Sequence, residues 1–211
     1  MALSVSPAIS RIEAPPIAEA MTWLRPGECN RGLLNLCQAV PSYAPAEALQ
    51  AEIARLAKDP EVHLYTDIHG VPELRTALAQ HMAADYRGRI SPENVSITSG
   101  CNQAFCAAIM ALAQRGDNVV LPSPYYFNHQ MWLNMLGVEK RLVPAFAPGR
   151  TYPLPEDAAA LINDRTRAIV LCSPNNPTGA IYPASIIEAF YDLAKASGIA
   201  LIIDETYKDF R

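Results

Sequence analysis

The sequence predicts an α/β fold: a mostly parallel sheet covered by helices. Two observations carry that expectation. The runs Ala168-Ile-Val-Leu-Cys172 and Ile199-Ala-Leu-Ile-Ile203 are apolar without alternation, as in strands buried on both faces. Such runs also alternate along the chain with stretches of helical spacing, the order expected of a sheet wrapped by helices.

The elements follow in order. Residues 1–44 are punctuated by prolines and read as an extended arm, with one short helix around Ile17 to Leu24. Residues 45–211 read as part of one large domain. Ala46 to Lys58 carries Leu49, Ile53 and Leu56 at helical spacing, and Pro72 opens a second helix with Leu74, Leu78 and Met82 on one face. Five strands are expected beyond it, at 94–98, 118–121, 138–143, 168–172 and 199–203. Helices at 102–115, 126–136, 155–163 and 183–197 separate them.

Composition removes several function classes. Half of the 211 residues are hydrophobic and 18% are charged, which gives ample material for a core and argues against a disordered chain. The net charge is −4 with no basic block, so neither nucleic acid nor an anionic membrane is the expected partner. Nowhere do 18 apolar residues run together, and the first residues lack a basic segment followed by an apolar one. Five scattered cysteines without a Cys-x-x-Cys pair point to free thiols in a reducing setting, so a cytoplasmic location is expected.

In open α/β sheets, ligands sit beyond the carboxyl ends of the strands, so the residues there hold the information. Thr98-Ser-Gly-Cys-Asn-Gln103 leads straight into a helix, whose first N–H groups and dipole suit a phosphate. A plain turn with an N-capping Ser or Asn fits the same residues. None of the ten glycines forms a G-x-G-x-x-G or a G-x-x-x-x-G-K, which argues against dinucleotide and P-loop sites.

Ser123-Pro-Tyr-Tyr-Phe-Asn-His129 offers three aromatics, which either pack a core or lie flat on a planar ligand. His129 is structural or catalytic on equal terms. Ser173-Pro-Asn-Asn-Pro-Thr-Gly179 is a loop made rigid by two prolines and a closing glycine, more specification than a simple turn requires. Asp204, at the end of an apolar run, needs a cationic partner if it is buried. A protonated pyridine nitrogen or a metal would supply one. Metal is the weaker option, because His63, His69, His81 and His129 form no ligand-spaced pair.

Together these residues resemble the N-terminal half of pyridoxal-phosphate-dependent aminotransferases of class I/II, aspartate-aminotransferase-like in fold. Ser-Pro-Asn-Asn-Pro-Thr-Gly followed by Asp-Glu-Thr-Tyr carries the resemblance, and Tyr65, Gly70 and Pro72-Glu-Leu-Arg75 extend it in the right order. The resemblance implies pyridoxal 5′-phosphate (PLP) as cofactor. Asp204 would pair with its pyridinium nitrogen, and Asn176 and Tyr207 would hydrogen-bond its phenolic oxygen. Tyr126 would stack on the ring, with Tyr125 as the fallback. The backbone of Gly100, Cys101 and Asn102 would hold the phosphate. Tyr65 would reach the phosphate of a neighbouring subunit, implying a homodimer with shared sites. His129 would support the aspartate.

The implied reaction exchanges an amino group between an amino acid and a 2-oxo acid. A β-lyase, a cyclopropane-forming synthase and a non-catalytic PLP- or partner-binding module remain alternatives, separable by their products or by the lack of any. Two segments depart from the family. Cys37 and Ala39 stand where small permissive residues are common, near where a substrate carboxylate would lie. Cys101 and Asn102 stand where Gly or a hydroxyl residue is frequent. The imine-forming lysine of the family has no counterpart among Lys58, Lys140, Lys195 and Lys208. It is expected beyond Arg211, leaving the 211-residue chain inactive by itself.

Overall fold

The computed structural model describes residues 3–10, 12–23, 40–41 and 43–210. The segment Leu36 to Ala39, with Cys37, lies outside the described residues, as does Leu24 at the end of the expected short helix. The chain divides into two compact units, Met1–Pro15 with Ser99–Arg211, and Pro16–Thr98.

The larger unit contains four parallel strands in the order β2-β1-β3-β4: β1 Asn118–Ser123, β2 Glu139–Pro144, β3 Thr166–Cys172 and β4 Ala200–Asp204. With the helices α5 Cys101–Leu112, α6 Phe127–Leu136, α7 Pro155–Ala159 and α8 Ala184–Ser197, this is an α/β architecture. The short α1, Pro7–Ser10, belongs to the same unit and starts where the Ser6 hydroxyl accepts from the Ala8 N–H.

Alternation within the strands divides the core between the two faces of the sheet. Val119, Leu121, Ala168 and Val170 pack with Phe105 and Ile109 of α5 and Leu133 of α6. Val120, Ile169 and Leu171 pack with Ala158 of α7 and with Phe190 and Ala194 of α8. The chain runs from β1 to β2 through α6, then returns past β1 to β3. The strand order therefore reverses between β1 and β3, where a crevice opens at the carboxyl ends.

The smaller unit holds α2 Pro16–Thr22, α3 Glu47–Leu56 and α4 Pro72–Tyr86. Of the face expected on α4, Leu74 is exposed, and the residue it buries fully is Ala79. Gly70 is required by space as well as by its φ of 102°: a Cβ there would lie 2.7 Å from Ile97 Cβ.

Three expectations need correction. Residues 94–98 do not form a strand. Pro92–Asn94 is a 3-10 turn, and Ile97 donates its N–H to His69 O at 2.9 Å without a ladder around it. β-propensity makes a strand only where a neighbour supplies hydrogen bonds. The helix expected at 102–115 stops at Leu112, because the Asp117 carboxylate accepts from the Gln114 N–H and turns the chain. The helix expected at 155–163 stops at Ala159. Asn163 is drawn into a turn in which its N–H donates to Thr166 Oγ1 at 2.9 Å and its side chain accepts from the Arg165 N–H at 3.0 Å.

Candidate functional site

Four chain segments converge at the carboxyl ends of the strands. The first is the start of α5. Gly100 has φ 89°, a conformation that favours glycine, and its Cβ would meet no neighbour, so the backbone turn is what selects it. The Ser99 N–H donates to Gln103 Oε1 at 2.6 Å, closing the turn from outside. The dipole of α5 makes this start of the helix a local positive end.

The second segment follows β1, where the structure separates the two tyrosines. Tyr125 packs against the core cluster of α5 and α6, with its hydroxyl bonded to Gln130 and 3.2 Å from Lys140 Nζ. Tyr126 caps α6 and lines the crevice, its hydroxyl accepting from Asn128 Nδ2 at 2.8 Å. Burial pushes the Tyr126 phenol above its ordinary value. One turn on, His129 is buried, stacked on Phe105 at 4.3 Å and edge-on to Tyr126 at 5.5 Å.

The third is the loop after β3. Asn175 organises it from the inside. Its Oδ1 accepts from the Thr178 hydroxyl at 2.8 Å and the Thr178 N–H at 3.2 Å, and its backbone bonds Ala180 and Gly179. The Ser173 hydroxyl accepts from the Tyr182 N–H at 2.9 Å. With Asn175 and Ser173 occupied in this way, Asn176 is presented to the crevice, its Nδ2 3.5 Å from the Tyr207 hydroxyl.

The fourth is β4. Its register sets Asp204 beside Cys172, so the acid arrives at the mouth of the sheet and is 7% exposed. A carboxylate only accepts, so His129 Nε2 donates to Asp204 Oδ2, at 3.1 Å. Thr206 donates its hydroxyl to Oδ1 at 2.7 Å and its N–H to the same oxygen at 3.0 Å. Burial pushes the Asp204 acid up, but the bonds from His129 and Thr206 outweigh it and hold the carboxyl well below the usual range. The Cys172 thiol is pushed up to about 12 by burial, and burial also raises Cys101. Among the described residues, Asp204 is the only carboxylate that lines the crevice.

The resulting cavity of about 260 Å³ lies near the lower end of small-molecule sites, roughly 300–1,000 Å³. Gly100, Cys101, Asn102, Tyr126, Asn176, Asp204 and Tyr207 all line it, joined by His129. Tyr65 belongs to the smaller unit and is fully exposed. Among the described residues, no lysine lines the cavity. Thr206, Ser99 and Cys172 line it without having been assigned a role from the sequence. For Thr206 the signal was present, since an aspartate side chain commonly accepts from the backbone N–H two residues on, in an Asx-type turn.

The depressed acidity of Asp204 links the site to stability. A carboxyl lowered in the folded state contributes stability above its unfolded value, about 3.9 for Asp, and loses it as pH falls through the folded value. Urea midpoints taken between about pH 2 and pH 6 should therefore fall below about pH 4. The fall should be shallower in Asp204→Asn. Superimposable acid limbs for the two proteins would show that Asp204 is not held ionised.

Residues 31–211 match the family described as aminotransferase class I and II. The chain is 33% identical over 190 residues to an aspartate aminotransferase of Thermotoga maritima, covering 90% of this chain and 49% of that protein. It is also 33% identical to a valine–pyruvate aminotransferase of Mycobacterium tuberculosis, covering 93% of this chain and 51% of that one. The crystal structure of the Thermotoga enzyme superposes with a TM-score of 0.86 at 32% identity, over 95% of this chain and 54% of that chain. The chain thus spans about half the length of the curated relatives it matches. A rigid Ser-Pro-Asn-Asn-Pro-Thr-Gly loop and a buried Asp-Glu-Thr-Tyr aspartate meet in one crevice of a parallel sheet, and the chain carrying them belongs to the aminotransferase class I and II family.

Proposed function

We propose that this chain forms the PLP-binding part of an enzyme that exchanges an amino group between an amino acid and a 2-oxo acid. The observation that carries the reading is the two-ended polarity of the cavity. A helix N-terminus at Gly100 to Asn102 suits an anion at one part of its wall, and an ionised, buried Asp204 suits a cation at another. PLP has both groups, a phosphate and a protonatable pyridine nitrogen, on one planar ring. The aromatic face for that ring is Tyr126.

In this reading the first-turn N–H groups of α5 hold the phosphate. Asp204, supported by His129, keeps the pyridine nitrogen protonated. Asn176 and Tyr207 donate to the phenolic oxygen, and Tyr126 covers one ring face. The bound cofactor supplies an electron sink that stabilises negative charge on the amino acid carbon. The imine-forming lysine is assigned to none of the four lysines. Lys140 is engaged with Tyr125 and Gln130, Lys195 lies on α8 over Tyr191, Lys208 contacts Asp209, and Lys58 follows α3. Tyr65, fully exposed, is assigned to the cofactor phosphate of a second subunit in a homodimer. A cytoplasmic setting is supported by the free thiols Cys101, Cys106 and Cys172. Among the described residues no helix is long and apolar enough to cross a membrane.

The test uses protein purified from its native source, with its intact mass recorded. It should carry PLP and convert a 2-oxo acid to the corresponding amino acid at the expense of an amino donor. Release of ammonia in place of amino-group transfer would favour a lyase. Absence of any PLP binding would remove the proposal.

A further inference from the structure

Asp204 receives three well-formed hydrogen bonds, and Thr206 supplies two of them. The Thr206 hydroxyl and N–H both donate to Oδ1, at 2.7 and 3.0 Å, while His129 Nε2 donates to Oδ2 at 3.1 Å. A carboxylate oxygen has about two lone-pair positions. Oδ1 is therefore filled by a single residue, and Oδ2 retains a place for one further donor. The Cys101 thiol, a weak donor, also lies beside Thr206 and Asp204.

Thr206 itself is exposed, so its side chain adds nothing to the core. What its hydroxyl does in this protein is grip one oxygen of a buried acid. We infer that Thr206 is a positioning residue, which saturates Oδ1 so that Asp204 is held ionised and offers Oδ2 to a cationic ligand group. The inference rests on the PLP reading for the identity of that group only. The ionisation itself belongs to the chain alone.

Other titratable groups face Asp204 from every neighbouring element: Cys101 at the start of α5, Tyr126 and His129 at the start of α6, and Cys172 at the end of β3, with Glu205 and Tyr207 beside it in sequence. Of these Glu205 is the other carboxyl group, one position from Asp204 in sequence. A site-resolved measurement separates the two.

The experiment is a carbon-13 carboxyl NMR titration of the cofactor-free 211-residue chain in three forms: unaltered, Thr206→Ser and Thr206→Val. Loss of a hydroxyl donor to a charged oxygen destabilises the ionised form. Thr206→Val should move the Asp204 midpoint up by about one pH unit, a tenfold change in its ionisation constant. Thr206→Ser should titrate within a few tenths of a unit of the unaltered chain. Thr206→Ala, which removes the hydroxyl without adding bulk, repeats the test if valine disturbs the turn. A midpoint unchanged in natively folded Thr206→Val or Thr206→Ala would overturn the inference, as would a failure of serine to restore it. Adding PLP to the same samples keeps the two readings apart. Failure of the unaltered chain to bind PLP counts against the cofactor assignment, and the apo titration still decides the role of Thr206.

Discussion

Replacing Asp204 by alanine is expected to weaken PLP binding by roughly ten- to a hundredfold. A hydrogen bond to a charged group contributes about 1.5–3 kcal/mol, and each 1.4 kcal/mol is a factor of ten in affinity. Here the charge is buried and already ionised, so the unaltered site incurs no cost of deprotonating it when the ligand arrives. Alanine also strips His129 of its Nε2 acceptor, and His129 Nδ1 is already buried without a hydrogen-bond partner. Part of the loss is therefore expected as lowered stability, which circular dichroism and a urea midpoint would separate from binding. Quenching of intrinsic fluorescence on PLP addition measures the affinity. A folded Asp204→Ala chain with unaltered affinity would show that the pyridine nitrogen is not recognised at Asp204.

The largest effect on stability is expected at Phe190. Its side chain is fully buried on the α8 face of the sheet, among Val120, Ile169, Leu171 and Tyr182. Truncation to alanine leaves a cavity that a rigid parallel sheet cannot close, and such changes cost about 3–5 kcal/mol. Against a typical domain stability of about 5–15 kcal/mol, that removes a large share. Its neighbour Tyr191, 55% exposed, is the control. There alanine loses a surface contact with Lys195, a cation–π pair worth about 0.5–1 kcal/mol. The two variants should differ in urea midpoint by a wide margin at similar slopes. Equal midpoints would mean that α8 is not packed on the sheet as described.

Much of the larger unit was legible in the sequence, because its strands are short apolar runs and its helices are bounded by residues that start or stop them. Ala168 to Cys172 and Ile199 to Ile203 have no polar side to turn to solvent, and a strand buried on both faces meets that constraint. Glycine after α8 and proline at the first position of α7 mark ends by backbone chemistry alone. The loop 173–179 was equally readable, since its prolines, asparagines and closing glycine leave it few conformations.

The rest depended on which distant groups meet. Residues 94–98 have strand-like composition, but a strand exists only when a neighbour completes its hydrogen bonds, and local composition does not contain the neighbour. Tyr125 and Tyr126 are alike by residue type, and the family resemblance prefers Tyr126. The start of α6 sends one to the core and the other to the cavity, a choice made by helix geometry and by Gln130 and Lys140. His129 and Asp204 are 75 positions apart and meet through packing. The α/β class, the order of its main elements and the residue types at the strand ends follow from residue pattern alone. That Asp204 is buried yet ionised follows from folding, because the ionised form is stabilised by three donors, one of them His129, brought to its side by strand register and helix packing.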